Sequence, residues 1–396
     1  MRLNSGLHLA YCTNVHPGES WAETLDSLER WTLPVKRTVS PNLPYAIGLR
    51  LSDKASRELA VPETLLAFQR WLERNGCYVF TINGFPFGQF HGTRVKEDVY
   101  RPDWTDARRL EYTNRLFDLL ARLLPPGIGG SVSTVPGSFK EFIRAPEQAL
   151  AIRSNLWRCI EHVAALSAAT GLSLHLGLEP EPFGFLENAG ETIEFFEVLG
   201  AEHPGDSRLA RHLGVNYDTC HFAVEFEEPA RALDSFQQRG IRLSKIHVSN
   251  ALRLRPGKLG LARLASFADD TYLHQVFIRD DTGAITKFKE LDDALLAAAR
   301  QPGLGDAEWR IHFHVPLHTT PSDGFDTTVG HLMGALQWLQ GNTGSCSHLE
   351  METYTWAVLP EPLKARDVRE QLVQEYRWVL ARLAELGLTD ANQPGT

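Results

Sequence analysis

Short apolar runs with β-branched or alternating character recur along the chain. They are separated by stretches whose apolar residues repeat at helical spacing. The runs cover residues 7–12, 45–51, 78–83, 128–134, 172–178, 213–218, 243–249, 310–315 and 349–354. The helical stretches include residues 62–74, 106–123, 146–169, 190–199 and 363–386, which are rich in Ala, Leu, Glu and Arg. Pro62 and Pro146 stand at the start of two of them. A first helical turn accepts proline because the N–H it lacks would have no intrahelical acceptor. Alternation of strand and helix predicts a parallel sheet covered by helices. Because the repetition runs almost to the end, the expected fold is a closed (β/α)8 TIM barrel, one domain spanning residues 1–396. Nine strand-like runs compete for eight barrel positions. Residues 250–309 read as the main insertion, which is expected to extend to about residue 345, before the last strand. Residues 310–315 are either a barrel strand or part of that insertion. Within it, Asp280-Asp281-Thr282-Gly283 separates two short strand-like runs and reads as a hairpin turn. Residues 390–396 read as a frayed tail.

Composition narrows the function. A barrel of this kind needs about 250 residues, and up to about 400 with insertions. The chain has 396, of which 43% are hydrophobic, enough for a large core. The formal net charge of -9 gives no help to phosphate binding, so a nucleic-acid partner is not expected. The start, MRLNSGLHLAYCTN, lacks the basic region and sustained apolar core of a secretory signal. No run approaches the ~20 apolar residues that span a bilayer. Cys12, Cys77, Cys159, Cys220 and Cys346 lie far apart without a CxxC pair, which favours a reducing cytoplasm. The oligomeric state is open, and a homo-oligomer is allowed.

Barrel enzymes carry their chemistry at the carboxyl ends of the strands. Four such ends in the second half of the chain offer carboxylate or imidazole: Glu179-Pro-Glu181, Asp218-Thr-Cys-His221, Lys245-Ile-His247 and Glu350-Met-Glu352. Carboxylates crowded at a barrel mouth are costly unless they bind a proton or a cation. Grouping Glu179, Asp218, His247 and Glu352 around one divalent metal removes that cost for all of them at once. An oxygen-rich set with one imidazole suits Mn²⁺ or Mg²⁺, with Co²⁺, Fe²⁺ or Zn²⁺ as alternatives. Each residue also has a plainer reading. Glu179 is solvated, Asp218 caps the next helix, and His247 is a packed core histidine. Glu181 shares a strand face with Glu179, and Glu350 with Glu352, so the ligand in each pair is open.

The order Glu, Asp-x-x-His, His, Glu resembles the xylose-isomerase-like barrels, a superfamily of sugar isomerases, keto-sugar 3-epimerases, inosose dehydratases and endonuclease IV-type enzymes. The resemblance implies a metal on Glu179, Asp218, His247 and Glu352, with Glu179 and Glu352 also moving protons. A further set of segments resembles the EboE proteins, called metabolite traffic proteins. These are Ala10-Tyr-Cys-Thr-Asn-Val-His16-Pro-Gly-Glu-Ser-Trp21, Asn83-Gly-Phe-Pro-Phe-Gly-Gln-Phe-His91-Gly, Leu178-Glu-Pro-Glu-Pro182, Lys245-Ile-His-Val-Ser-Asn250, His312-Phe-His314-Val-Pro and Glu352-Thr-Tyr-Thr-Trp356. They span almost the whole chain. EboE proteins occur in clusters with a prenyltransferase-like membrane protein and a dehydroquinate-synthase-like protein, associated with moving or modifying a secondary metabolite. The resemblance carries no established reaction. Endonuclease IV-type enzymes place an Asp-x-His for additional metals where this chain has His312-x-His314. His221, His312 and His314 are therefore candidates for a second metal or for substrate.

His16, Asn83 and His91 follow early strands in Gly- and Pro-bearing loops and are the candidate substrate contacts. Trp21, Phe85, Phe87 and Phe90 are candidates for an apolar wall or simply for the core. The reading that joins these points is a metal-dependent isomerase or epimerase acting on a polyhydroxylated or carbonyl-bearing small metabolite. Its rivals are a metal-dependent lyase or hydrolase and a non-catalytic metabolite-binding or trafficking protein.

Overall fold

The computed structural model describes residues 1–92, 94–268, 271–319, 324–358 and 367–390. The tail expected to fray lies, from residue 391 on, outside the described residues, as do residues 363–366 of the last helical stretch. Among the described residues, thirteen strands run in the order β1 (His8–Tyr11), β2 (Tyr45–Arg50), β3 (Cys77–Asn83), β4 (Gly130–Thr134), β5 (Leu174–Leu178), β6 (Leu213–Asp218), β7 (Arg242–Val248), β8 (Ala251–Leu254), β9 (Val276–Arg279), β10 (Ile285–Phe288), β11 (Glu308–His314), β12 (Phe325–Thr327) and β13 (His348–Met351). Eight of them, in the order β1-β13-β7-β6-β5-β4-β3-β2, form one sheet. All its ladders are parallel. The parallel bridge between Cys12 and Gly48 joins β1 to β2. This is the (β/α)8 barrel expected from the alternation.

Parallel strands require crossovers, and helices supply them. The helices Pro62–Arg74 and Pro146–Thr170 begin at the two prolines, and Ala107–Leu123 is capped by Asp106. Barrel strands are covered on both faces, so almost every residue in them is buried. That explains why they read as continuous apolar runs.

The ninth run belongs to a second sheet. β11 pairs antiparallel with β8 and β9, and the full order is β10-β9-β11-β8-β12. Residues 310–315 are thus part of the insertion, not a barrel strand. β9 and β10 form the expected hairpin, with Asp280 Oδ1 accepting from the Thr282 and Ala284 amides. The sheet has its own core of Leu252, Val276, Ile278, Trp309, Ile311 and Phe313. It ends earlier than the sequence indicated. The helix Val329–Gly341 lies against the helix Pro229–Gln238, and its Leu332, Ala335, Leu336 and Leu339 join the main core. Residues 329–341 are therefore a barrel crossover rather than insertion. Among the described residues, no helix is long and apolar enough to cross a membrane.

The barrel's interior carries polar layers. His348 on β13 meets Ser131 on β4 at 2.8 Å, across the barrel. His175 on β5 meets Ser244 at 2.6 Å, and His8 on β1 meets Tyr78 at 2.8 Å. Burial pushes all three imidazoles down, His8 to about 4, His348 to about 3, and His175 well below its ordinary value. The folded protein holds them neutral, while the unfolded chain takes up protons near pH 6.5. Stability from these groups is complete above that pH and is lost as pH falls toward about 4. Each adds a slope of up to about 1.4 kcal/mol per pH unit. A urea unfolding midpoint that drops steadily between pH 7 and pH 5 is the expected result. A midpoint that holds or rises over that range contradicts it.

Candidate metal centre

Four strand ends converge. Glu179 follows β5, Asp218 ends β6, His247 lies on β7 and Glu352 follows β13. One ligand atom from each lies within 4.8 Å of all the others, and all four residues are buried. The hub is His247 Nδ1, which stands 2.9 Å from Glu179 Oε1, 3.1 Å from Glu352 Oε2 and 3.4 Å from Asp218 Oδ2. Glu179 Oε2 and Asp218 Oδ2 are buried without a hydrogen-bond partner. Buried oxygens of this kind are normally satisfied, and a divalent cation at the convergence point would satisfy both. The donor set of three carboxylates and one imidazole fits such an ion.

Each ligand atom is aimed by its other partners. Asp218 caps the helix Thr219–Val224 with Oδ1, which accepts from the Cys220 amide at 2.7 Å and from Ser249 Oγ at 2.5 Å. The cap and the site are therefore not alternatives, because each uses a different oxygen of one carboxylate. Glu352 Oε1 accepts from Asn14 Nδ2 at 2.7 Å and from Asn83 Nδ2 at 3.1 Å, which leaves Oε2 facing His247. Burial alone raises the Asp218 pKa, but His221 and His247 outweigh it and hold the carboxyl well below its usual range. Burial lowers His247 in turn, and the Glu352 and Glu179 carboxylates reverse this and hold it well above its ordinary value. Without a metal, a proton on His247 offsets part of the cluster's negative charge.

Glu350 and Glu352 take different roles. Both point inward from the last strand, but Glu350 lies one layer deeper, where it faces His247 in register. Its Oε2 accepts from His247 Nε2 at 2.9 Å and from Lys245 Nζ, which also donates to Ser133 Oγ at 3.0 Å. Burial opposes ionisation of Glu350, but Lys245 and His247 win and hold it at about 2. A carboxylate on the far nitrogen of a ligating imidazole fixes its tautomer and raises its basicity. The close fit explains Gly48. A Cβ there would stand 2.0 Å from Glu350 Oε1 and 2.7 Å from the Tyr11 carbonyl.

A second cluster adjoins the first. The insertion packs β11 against the helix Thr219–Val224 and brings His312 and His314 to His221. Each ring has Nδ1 at an acceptor: His221 at the Pro180 carbonyl, His312 at Gln275 Oε1, and His314 at the Glu352 carbonyl. A carbonyl accepts only, so Nδ1 carries the hydrogen in each neutral ring. Burial lowers His221 to about 4 and His312 well below its ordinary value. The Nε2 atoms of His221 and His312 are then lone pairs, and the Nε2 atoms of His312 and His314 lie 3.3 Å apart. His221 and His314 group with Asp218, and His221 and His312 with Glu181, at metal-ligand separations.

Above both clusters lies a cavity lined by Asn14, Asn83, Glu179, Glu181, His221, His312 and Glu352 among others. Of the three early candidates, only Asn83 reaches it. His16 Nε2 is bonded to Tyr11 and its ring stacks on Trp31. His91 meets the Asn14 carbonyl and, at 2.9 Å, Tyr272, so it stands behind two lining residues. Neither His16 nor His91 lines the cavity, because each ring is spent on holding a loop. Asn14, Tyr100 and Lys245 were not singled out from sequence. Asn14 stands just beyond the end of β1, a position that could have flagged it.

With this geometry in view, solved structures can be compared. A D-tagatose 3-epimerase-like protein matches with a TM-score of 0.50 and 11% identity, over 96% of this chain and 99% of the other. An L-ribulose 3-epimerase matches with a TM-score of 0.50 and 13% identity, over 96% of both chains. A xylose isomerase-like TIM barrel protein from Mycobacterium smegmatis, in complex with magnesium, matches with a TM-score of 0.50 and 11% identity, over 96% of this chain and 97% of the other. The chain has the xylose-isomerase-like barrel fold. No protein-family model matches it, and no curated protein is similar to it in sequence. At these identities the likeness concerns the fold, and the site must be argued from its own atoms.

Two outcomes follow for the centre. Adding Mn²⁺ or Co²⁺ at about 100 times its dissociation constant should stabilise the fold by about 2.7 kcal/mol. It should also release close to one proton per ion at pH 7, because the cation displaces the proton on His247. Affinity therefore weakens as pH falls. Calorimetry in buffers of different ionisation enthalpy reads both, and binding without proton release contradicts the assignment. Glu350→Gln should weaken metal binding by about 10–100-fold while all four ligands remain.

Proposed function

We propose that the protein is a divalent-metal-dependent enzyme of isomerase or epimerase type. Its substrate is a polyhydroxylated or carbonyl-bearing small metabolite. The observation that carries this reading is the placement of Glu179 and Glu352. Both line one cavity, and both face His247 Nδ1, at 2.9 and 3.1 Å. Glu179, Asp218, His247 and Glu352 hold the ion. Bound there, Mn²⁺, Mg²⁺, Co²⁺, Fe²⁺ or Zn²⁺ supplies Lewis-acid polarisation of a carbonyl and charge stabilisation beside it. One of the two glutamates takes a proton from the carbon next to the carbonyl, and the other returns it. Asn14 and Asn83 keep Glu352 aimed, and Glu350 and Lys245 keep His247 aimed. The segments resembling EboE support placing the reaction in an ebo-type secondary-metabolite pathway in the cytoplasm. The five free, buried cysteines accord with a reducing compartment. The epimerase folds that the chain matches support the reaction class by analogy only.

The grouping of His221 and His312 with Glu181, and of His221 and His314 with Asp218, favours a second reading. In it these rings hold a second ion, and the chemistry is that of a lyase or hydrolase in which a paired centre activates water.

The two readings separate in one set of measurements. Metal-loaded protein in D₂O, given a panel of neutral α-hydroxy ketones, should place deuterium on the carbon next to the carbonyl of the accepted compound. Glu179→Gln should slow this exchange by about 10²–10⁴-fold without loss of fold. Exchange at the native rate in Glu179→Gln removes the proton-transfer role. Two ions per chain by elemental analysis, falling to one in a His312→Ala/His314→Ala double variant, with no exchange in any compound, would favour the lyase or hydrolase.

A further inference from the structure

The cavity over the candidate centre has two chemically distinct halves. Its floor is the polar set described above. Much of the rest of its lining is apolar or aromatic: Phe85, Phe90, Tyr100, Tyr272 and Tyr354, with Val95. Three of these rings make one surface. Phe90 lies 5.3 Å from Tyr272 and 5.4 Å from Tyr354, and Tyr272 lies 5.2 Å from Tyr354, ring centre to ring centre. Phe85 and Tyr100 form an edge-to-face pair at 5.7 Å beside them. The space centred on the cavity, open solvent included, is about 550 Å³, of which about 60 Å³ can hold the centre of a water molecule.

Charge selects further. Among the described residues, the carboxylates Glu179 and Glu352 and the carboxyl of Glu181 line the cavity with one lysine, Lys96. Lys96 is paired with Glu290 at 3.0 Å. Among the described residues, no arginine lines it. A divalent ion held by three carboxylates leaves the centre with a net negative charge. A phosphorylated or carboxylated substrate would therefore meet repulsion with no guanidinium to bind it. The Tyr100 hydroxyl and the Glu181 carboxyl are buried beside one another in this lining.

We infer that the substrate is an uncharged amphipathic hydroxy ketone. Its oxygens face the floor, and an apolar ring lies against the Phe90–Tyr272–Tyr354 wall. A sugar phosphate would meet the repulsion described above, and an apolar ring covers more of that wall than a polyol does. This rests on the metal-dependent reading above and narrows it. Of the four aromatic residues singled out as wall candidates, Phe85 and Phe90 take part. Phe87 packs on Tyr112, and Trp21 on Phe68.

The test uses the full chain with and without Mn²⁺ and three probes: 2-hydroxyacetophenone, dihydroxyacetone and dihydroxyacetone phosphate. Binding is read by calorimetry and by water-proton relaxation of the bound Mn²⁺. The aryl ketone should bind the Mn²⁺-loaded protein at least about tenfold more tightly than either other probe. Phe90→Leu should erode that preference, and circular dichroism checks that it folds. Equal affinity for all three, or preference for the phosphate, overturns the inference while leaving the metal centre intact. Preferential binding of the aryl ketone that ignores Mn²⁺ would instead support the wall and overturn the metal-dependent reading.

Discussion

The structure turns on one imidazole ring suspended between two sets of carboxylates. His247 donates from Nε2 to Glu350 on the inner side, and its Nδ1 faces Glu179, Asp218 and Glu352 on the outer side. Four buried carboxylates surround it, against one buried ammonium, Lys245. Breaking a buried ion pair by removing one partner costs about 3–5 kcal/mol. The ring therefore cannot be moved or neutralised without a replacement charge. A proton on His247 is the least expensive replacement available to the chain itself. A dication at Nδ1 is a better one, since it satisfies Glu179 Oε2 and Asp218 Oδ2 as well. The same imbalance that makes the cluster costly makes it receptive to metal.

That cluster is supported from below by an interior unusual for a parallel barrel. Instead of stacked aliphatic layers, His8, His175, His348, Ser131 and Thr81 bond one another or their neighbours across the lumen. Each polar group is matched, so the layers specify strand register as well as filling space. Lys245 links the two regions, donating both to Ser133 in the polar core and to Glu350 under the site.

The insertion is what sets this barrel apart in chemistry. The second sheet has its own apolar core and delivers His312 and His314 to the mouth. Asp218 joins the two parts. It ends a barrel strand and caps the helix on which β11 packs, and it turns its second oxygen toward both the four-residue cluster and the imidazoles.

The fold was largely legible because its determinants are local or periodic. Residues 213–218 and 62–74 form their elements at the expected bounds, since a fully buried parallel strand and a proline-started helix each declare themselves within a few residues. The convergence of Glu179, Asp218, His247 and Glu352 was legible too, because barrel topology brings every strand end to one mouth. Three matters needed the tertiary structure. Residues 310–315 carry a strand pattern that fits either sheet, and only their antiparallel partners decide it. Glu350 and Glu352 share a strand face, so alternation cannot rank them, and depth beside His247 does. His16 and His91, in early loops, looked in sequence like substrate contacts, yet they are spent on Tyr11 and Tyr272, while His221, just beyond a strand end, reaches the cavity. Sequence alone determined which residue types reach the mouth, because strand period and chain order are local properties. Which atom faces which was decided only in three dimensions, because it depends on neighbours contributed by distant strands.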